Sequence, residues 1–244
     1  MNIIQVQDYM EMSRTAAEIV IGKVKGNPNI KLGLATGGTP KGMYDNLIED
    51  HVRNHTSYER VTSFNLDEYI GLKPNDPNSY HHYMNDSLFT HININKERTH
   101  LPNGTADDTK GECKRYDEMI DSVGGIDLQI LGIGQNGHIG FNEPGTSFTS
   151  GTHVVTLEES TRQANARYFD SIDEVPTHAV TMGISTIMKS KEILLLISGE
   201  EKAETLKKLI HGDISEEFPA SILKKHNNVT IIADQKALSG VIIP

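Results

Sequence analysis

Residues 30–48 read Ile30-Lys31-Leu32-Gly33-Leu34-Ala35-Thr36-Gly37-Gly38-Thr39-Pro40-Lys41-Gly42-Met43-Tyr44-Asp45-Asn46-Leu47-Ile48. Ile30 to Leu34 is an apolar run of strand length, whereas Met43, Tyr44, Leu47 and Ile48 recur at the spacing of one helix face. The turn between them holds two glycines, and its pattern predicts Thr39 as helix cap with Pro40 at the first helical position. A strand that passes through a glycine turn into a helix is half of a β-α-β unit, and the alternation continues in both directions. Upstream, Ile3 to Val6 reads as a strand, followed by Tyr9, Met12, Ala16, Ile19 and Val24 at helical spacing until Gly26. Downstream, Val61 to Leu66 runs as a third strand into Asp67-Glu68-Tyr69, and Ser79 opens a helix carrying Tyr80, Tyr83, Met84 and Leu88. A helix from Asp107 to Ser122 precedes a strand from Ile126 to Ile133. Later strands centre on Val154, Ala179, Leu195 and Ile231, and helices on Ala164, Leu206 and Ile222. This order predicts one α/β domain over residues 1–244, a doubly wound, mostly parallel, Rossmann-like sheet with helices on both faces. Ligands of such sheets bind beyond the carboxyl ends of the strands.

Composition narrows the function classes. The chain has 244 residues, a net charge of -10 and no basic block, which argues against a nucleic-acid or anionic-membrane partner. An anionic ligand must therefore be captured by local groups against the overall field. No apolar run approaches the ~18 residues of a membrane span, and Met1 to Met12 lacks the basic stretch and apolar core of a signal peptide, so the expected location is the cytoplasm. The single cysteine, Cys113, excludes an internal disulfide and a zinc site built on several thiolates.

Four segments could carry chemistry. Thr36 to Thr39 could cradle an anion, because glycines admit a ligand to the backbone and the following helix aims free N–H groups outward. A plain strand-to-helix turn explains the same residues equally well. Asp67, where the third strand runs out, could act as a base, although an acid there more commonly caps a loop. The third segment, Gly132-Ile133-Gly134-Gln135-Asn136-Gly137-His138-Ile139-Gly140-Phe141-Asn142-Glu143-Pro144-Gly145, begins like a dinucleotide fingerprint. That fingerprint must open a helix, which Gly140, Pro144 and Gly145 forbid, so a nucleotide cofactor is rejected. What remains is a loop displaying His138 and Glu143, with Asn136 close enough to orient the imidazole. Imidazole, with a reference pKa near ~6.5, passes protons either way at neutral pH, and a neighbouring carboxylate fixes its tautomer. Lastly, Arg167, on a helix read from Glu158 to Phe169, and Lys202, after a strand read from Ile193 to Ser198, could supply phosphate ligands. His81, His82 and Cys113 read as structural.

Together these segments resemble the glucosamine-6-phosphate deaminase family over essentially the whole chain. The likeness runs through Leu34 to Leu47, Ser63 to Leu72, Asn78 to Phe89, Leu131 to Gly145, Ser160 to Phe169 and Ser198 to Leu206, with Phe141-Asn142-Glu143-Pro144 the most specific part. The resemblance implies conversion of D-glucosamine 6-phosphate and water to D-fructose 6-phosphate and ammonia, with no metal or organic cofactor. It implies a small phosphorylated amino sugar as partner, and it leaves open whether the chain is a monomer or a homo-oligomer. Carried over position by position, Asp67 matches the base that moves a proton from carbon 2 to carbon 1, and His138 the ring-opening acid/base. Glu143 and Asn136 match the groups that support His138. Gly37, Gly38, Thr39, Arg167 and Lys202 match the phosphate-binding positions. Many family members have aspartate at the position of Asn136; the amide can still orient His138 through its oxygen but brings no charge.

Two alternatives belong beside this reading. The related 6-phosphogluconolactonases share the fold type, but Asp67-Glu68-Tyr69 and Phe141-Asn142-Glu143-Pro144 favour a deaminase. A non-catalytic sugar-phosphate sensor need not keep Asp67, His138 and Glu143 together and would normally carry a DNA-binding helix-turn-helix. The resemblance also bears on regulation: some bacterial members are activated by N-acetylglucosamine 6-phosphate through basic side chains soon after the Phe-Asn-Glu-Pro loop. Here no lysine or arginine lies between Glu143 and Thr161, and His153 and Val155 occupy the matching positions. Hyperbolic kinetics without activation are therefore expected.

Overall fold

The computed structural model describes residues 1–159, 162, 163, 166, 169 and 171–242. Seven strands form one sheet: β1 (Asn2–Val6), β2 (Lys31–Leu34), β3 (Thr62–Asn65), β5 (Thr99–His100), β6 (Leu128–Leu131), β9 (Glu192–Ile197) and β10 (Val229–Asp234), in the order β1-β10-β9-β6-β2-β3-β5. Every pairing in it is parallel. The physical reason is visible in β9, Glu-Ile-Leu-Leu-Leu-Ile, which is apolar at successive positions and so suits burial on both faces. Leu194 and Leu196 enter the core beneath α1 (Tyr9–Gly26) and α2 (Gly38–Asn54). Ile193, Leu195 and Ile197 enter a second core beneath α4 (Thr109–Ser122) and α6 (Ala203–His211). The doubly wound expectation holds.

A second sheet was not foreseen. The strand expected to run into Asp67-Glu68-Tyr69 stops at Asn65. Asp67–Tyr69 then forms β4, which pairs antiparallel with β8 (His178–Thr181), itself antiparallel to β7 (His153–Thr156). A bend at Leu66 carries the chain out of the main sheet and sets Asp67 opposite Thr181.

Smaller corrections concern helix ends. Gly37, with φ 91°, is the cap residue of α2, Gly38 begins the helix, and no side chain caps it. Thr39 is thus inside the first turn and Pro40 third in the helix, where its missing N–H is still one of the unpaired donors. Asp108 caps α4, whose helix starts at Thr109. Ser79 caps α3 (Tyr80–Met84) as expected, but the helix then widens into a π-helical turn, Asn85–Phe89. The expected helix near Ile222 is a 3-10 run, Pro219–Lys225. The strand expected from Ile126 to Ile133 is shorter, Leu128–Leu131. The helix read from Glu158 to Phe169 and centred on Ala164 falls largely outside the described residues. A last short helix, α5 (Ile184–Met188), follows β8. Among the described residues no helix is long and apolar enough to cross a membrane.

Candidate active site

Strand order determines where the site must be. From β2 the chain winds one way to β3, and from β6 it winds the other way to β9, so the loops after β2 and β6 part at the switch point of the sheet. A crevice opens between such loops. Thr36 to Thr39 follow β2 and Gly132 to Gly145 follow β6. The two segments adjoin, since a Cβ on Gly132 would lie 3.9 Å from the Thr39 side chain. Asp67 follows β3 and Lys202 follows β9, so four adjacent strands, β9-β6-β2-β3, each deliver one part of the site.

Asp67 is buried, 6% exposed. Burial first, and the neighbouring Glu68 charge second, push its carboxyl up to about 8. The loop after β6 lies against it: a Cβ on Gly140 would stand 3.5 Å from Asp67 Oδ2, 3.1 Å from Thr181 Oγ1 and 3.5 Å from Asn142 Nδ2. With φ 60°, Gly140 is also in the left-handed region, so glycine is required there by conformation and by space. Asn142 pins the loop by donating to the carbonyls of Ile139 and Met182 at 2.8 and 2.9 Å.

The histidine end of the loop is folded on itself. The His138 ring packs onto Gly134, whose missing Cβ leaves room for it, and the backbone N–H of Gly134 donates to the His138 carbonyl at 2.9 Å. His138 Nδ1, shielded from solvent, sits 3.4 Å from Glu143 Oε2, an ion-pair distance that is long for a hydrogen bond. Asn136 does not touch the imidazole in the expected way. Its Nδ2 donates to Glu143 Oε2 at 2.6 Å, and its Oδ1 accepts the backbone N–H of His138 at 3.2 Å. Asn136 thus orients the carboxylate directly and the histidine through its main chain.

Three carbonyls of this loop are held by groups from later elements. Lys202 Nζ donates to Ile133 O, Thr205 Oγ1 to Gln135 O, and the Ala220 N–H to Gly137 O, each at 2.9 Å. Phe218 fills the space that a side chain on Gly137 would take. Burial lowers the pKa of Lys202 from its ordinary value. At the other side, the Tyr83 hydroxyl donates to Gly37 O at 2.6 Å, and the Tyr80 hydroxyl stands 3.3 Å from that of Tyr69. The structure therefore brings Gly37, Gly38, Thr39, Asp67, Asn136, His138, Glu143 and Lys202 to one crevice; Arg167 lies outside the described residues.

Sequence reasoning assigned no role at the site to Tyr83, placed on a helix face, to Thr205, or to Glu68 and His81, which pair at 2.8 Å beside Asp67. The only local signal for that pair is the Ser79 cap, which places His81 in the first turn of α3. A surface groove of about 760 Å³ between α4 and β7, lined by Lys110, Cys113, Asp117 and His153 among others, shares no residue with this crevice. Among the described residues no three His, Cys, Asp or Glu side chains gather as a metal-binding set.

Comparison with known proteins agrees with this architecture. The family model described as glucosamine-6-phosphate isomerases/6-phosphogluconolactonase matches residues 7–232. A glucosamine-6-phosphate deaminase of Halalkalibacterium halodurans is 59% identical over 243 residues, covering 100% of this chain and 99% of that protein. Glucosamine-6-phosphate deaminase 1 of Bacillus subtilis is 57% identical over 239 residues, covering 98% and 99%. A solved structure described as a monomeric glucosamine-6-phosphate deaminase superposes with a TM-score of 0.96 at 57% identity, over 98% of this chain and 99% of that one. A 6-phosphogluconolactonase from Trypanosoma cruzi shares the fold, with a TM-score of 0.81 at 18% identity over 99% and 97% of the two chains. The chain belongs to the glucosamine-6-phosphate isomerase/6-phosphogluconolactonase family.

Proposed function

We propose that the protein converts D-glucosamine 6-phosphate and water to D-fructose 6-phosphate and ammonia, with residues 1–244 acting as one sugar-phosphate unit. The observation that carries this reading is the meeting of a buried Asp67, its carboxyl raised to about 8 by burial first and the Glu68 charge second, with the loop bearing His138 and Glu143. The relatives from Halalkalibacterium halodurans and Bacillus subtilis are named as glucosamine-6-phosphate deaminases, and their identity extends over 100% and 98% of this chain. A dianionic sugar phosphate does not cross a hydrocarbon layer unaided, which supports action in the cytoplasm.

The chemistry follows from the substrate. A closed pyranose has no acidic proton at carbon 2, so the ring must first open. His138 passes the proton between the anomeric hydroxyl and the ring oxygen, with Glu143 beside Nδ1 steadying the charged form. In the open form carbon 2 is acidic, and Asp67 takes its proton. A carboxyl raised toward neutrality is a stronger proton acceptor than an ordinary one, and with its pKa near the working pH it can still give the proton back. Asp67 delivers that proton to carbon 1 of the enolamine. The resulting ketose imine adds water and releases ammonia. The N-terminus of α2, with Gly37, Gly38 and Thr39, and Lys202 hold the phosphate, and Arg167 joins them by resemblance.

The test is direct. Incubate the purified protein with D-glucosamine 6-phosphate and measure ammonia and D-fructose 6-phosphate; equimolar release supports the proposal. Hydrolysis of 6-phosphogluconolactone without deamination would assign it to the other branch of the family.

A further inference from the structure

Glu68 stands next to the proposed base, is 1% exposed and has no task in the reaction above. Its Oε1 accepts the backbone N–H groups of Tyr69 and Tyr80 at 2.8 and 3.0 Å. Its Oε2 accepts the backbone N–H of His81 at 3.0 Å and His81 Nδ1 at 2.8 Å. Each Glu68 oxygen thus accepts from two donors. Capping of α3 does not require the imidazole, because Ser79 Oγ and Glu68 already take the first three backbone N–H groups. His81 adds a side-chain donor that is 25% exposed, so solvent reaches this end of the pair.

Alternation along β4 sends Asp67 and Glu68 to opposite faces, and Glu68 therefore acts on Asp67 through charge rather than contact. Burial, with the Asp67 charge adding to it, raises the hydroxyls of Tyr80 from α3 and Tyr116 from α4, and His81 from α3 faces Glu68. Among the described residues neither carboxylate forms an ion pair with a lysine or arginine. The same helix α3 carries Tyr83 to Gly37 O, so the anchor at Glu68 also ties the base to the turn after β2.

The geometry points to Glu68 as a positioning residue for the proton transfer: its buried anion strengthens Asp67 as a base, and His81 balances that anion from the solvent side. This rests on the assignment of Asp67 as the base. Removing the Glu68 charge lets Asp67 ionise more easily. Removing the His81 donor leaves the Glu68 charge less balanced and does the reverse. A cap that only holds α3 together predicts neither shift.

The experiment is the pH dependence of kcat/KM with D-glucosamine 6-phosphate for the wild-type protein, Glu68→Gln, His81→Leu, His81→Asn and Asp67→Asn, each checked for folding by thermal melting. The acid limb should move down by about one pH unit in Glu68→Gln and up by a smaller amount in His81→Leu. His81→Asn, whose amide nitrogen falls near the place of Nδ1, should restore the wild-type limb. Limbs that stay in place, or move the same way in Glu68→Gln and His81→Leu, overturn the proposal. If Glu68→Gln does not fold, the two His81 variants decide alone by the same criterion. Retained turnover in Asp67→Asn would instead overturn the base assignment, a failure separate from unmoved limbs in a series where that variant is dead.

Discussion

Asn136 donates to Glu143 at 2.6 Å while Glu143 stands 3.4 Å from His138, so the amide is the tighter partner of the carboxylate that faces the imidazole. Asn136→Leu removes a charge-assisted donor worth about 1.5–3 kcal/mol. If that loss falls on the ring-opening step, kcat drops about tenfold to a hundredfold with KM little changed. Steady-state kinetics check this, and an unchanged kcat would mean that Glu143 is held by its other contacts.

Asp67→Asn should keep the fold and remove most turnover, because the amide preserves shape but cannot accept a proton; loss of a general base costs about 10²- to 10⁴-fold. Stability gives a second readout. The folded pKa of Asp67, about 8, lies above the ordinary value of 3.8, so its stabilising contribution is complete below the lower value and is lost as pH rises through the higher one. Asn136 and Asp67 variants therefore differ in kind: only Asp67→Asn should gain thermal stability relative to wild type as pH is raised from about 4 to about 8. Parallel melting curves across that range would show that Asp67 is not strained by ionisation.

His138→Gln should slow the closed-ring substrate far more than an analogue fixed in the open-chain form, since ring opening is its assigned step. Equal losses on both substrates would remove that assignment.

Lys202→Ala should raise KM for D-glucosamine 6-phosphate by loss of a charged ligand, and it should lower kcat as well, because the same ammonium braces Ile133 O in the loop before His138. Arg167→Ala should raise KM alone. Each charged hydrogen bond is worth about 1.5–3 kcal/mol, so the KM changes should be tenfold or more. An unchanged KM in both variants would return these side chains to the solvated surface.

Initial rates should follow a hyperbola in substrate, and N-acetylglucosamine 6-phosphate should leave it unaltered. The groove beside His153 mixes Lys110 and Lys114 with Asp117, Glu118 and Asp121, and Asp117 is already committed to Thr152 and Thr186. A dianion gains little there. A sigmoidal curve made hyperbolic by the acetylated compound would show that an effector site exists.

The sequence by itself determined the layered sheet and named the candidate residues of the site. Apolar runs such as Ile193 to Ile197, and helical repeats such as Met12, Ala16 and Val24, are set by interactions between near neighbours, and such periodicity is written along the chain. The glycines around His138 were equally legible, because a loop crowded with them cannot be a helix. Only the tertiary structure decided that Asp67 turns out of the main sheet into β4, because its partner Thr181 lies more than a hundred residues away. It alone decided that Glu68 pairs with His81 and that Lys202 grips Ile133, 13 and 69 residues apart. Contacts of that kind follow from sheet order and from the need of buried polar groups for partners, and neither has a local period to read.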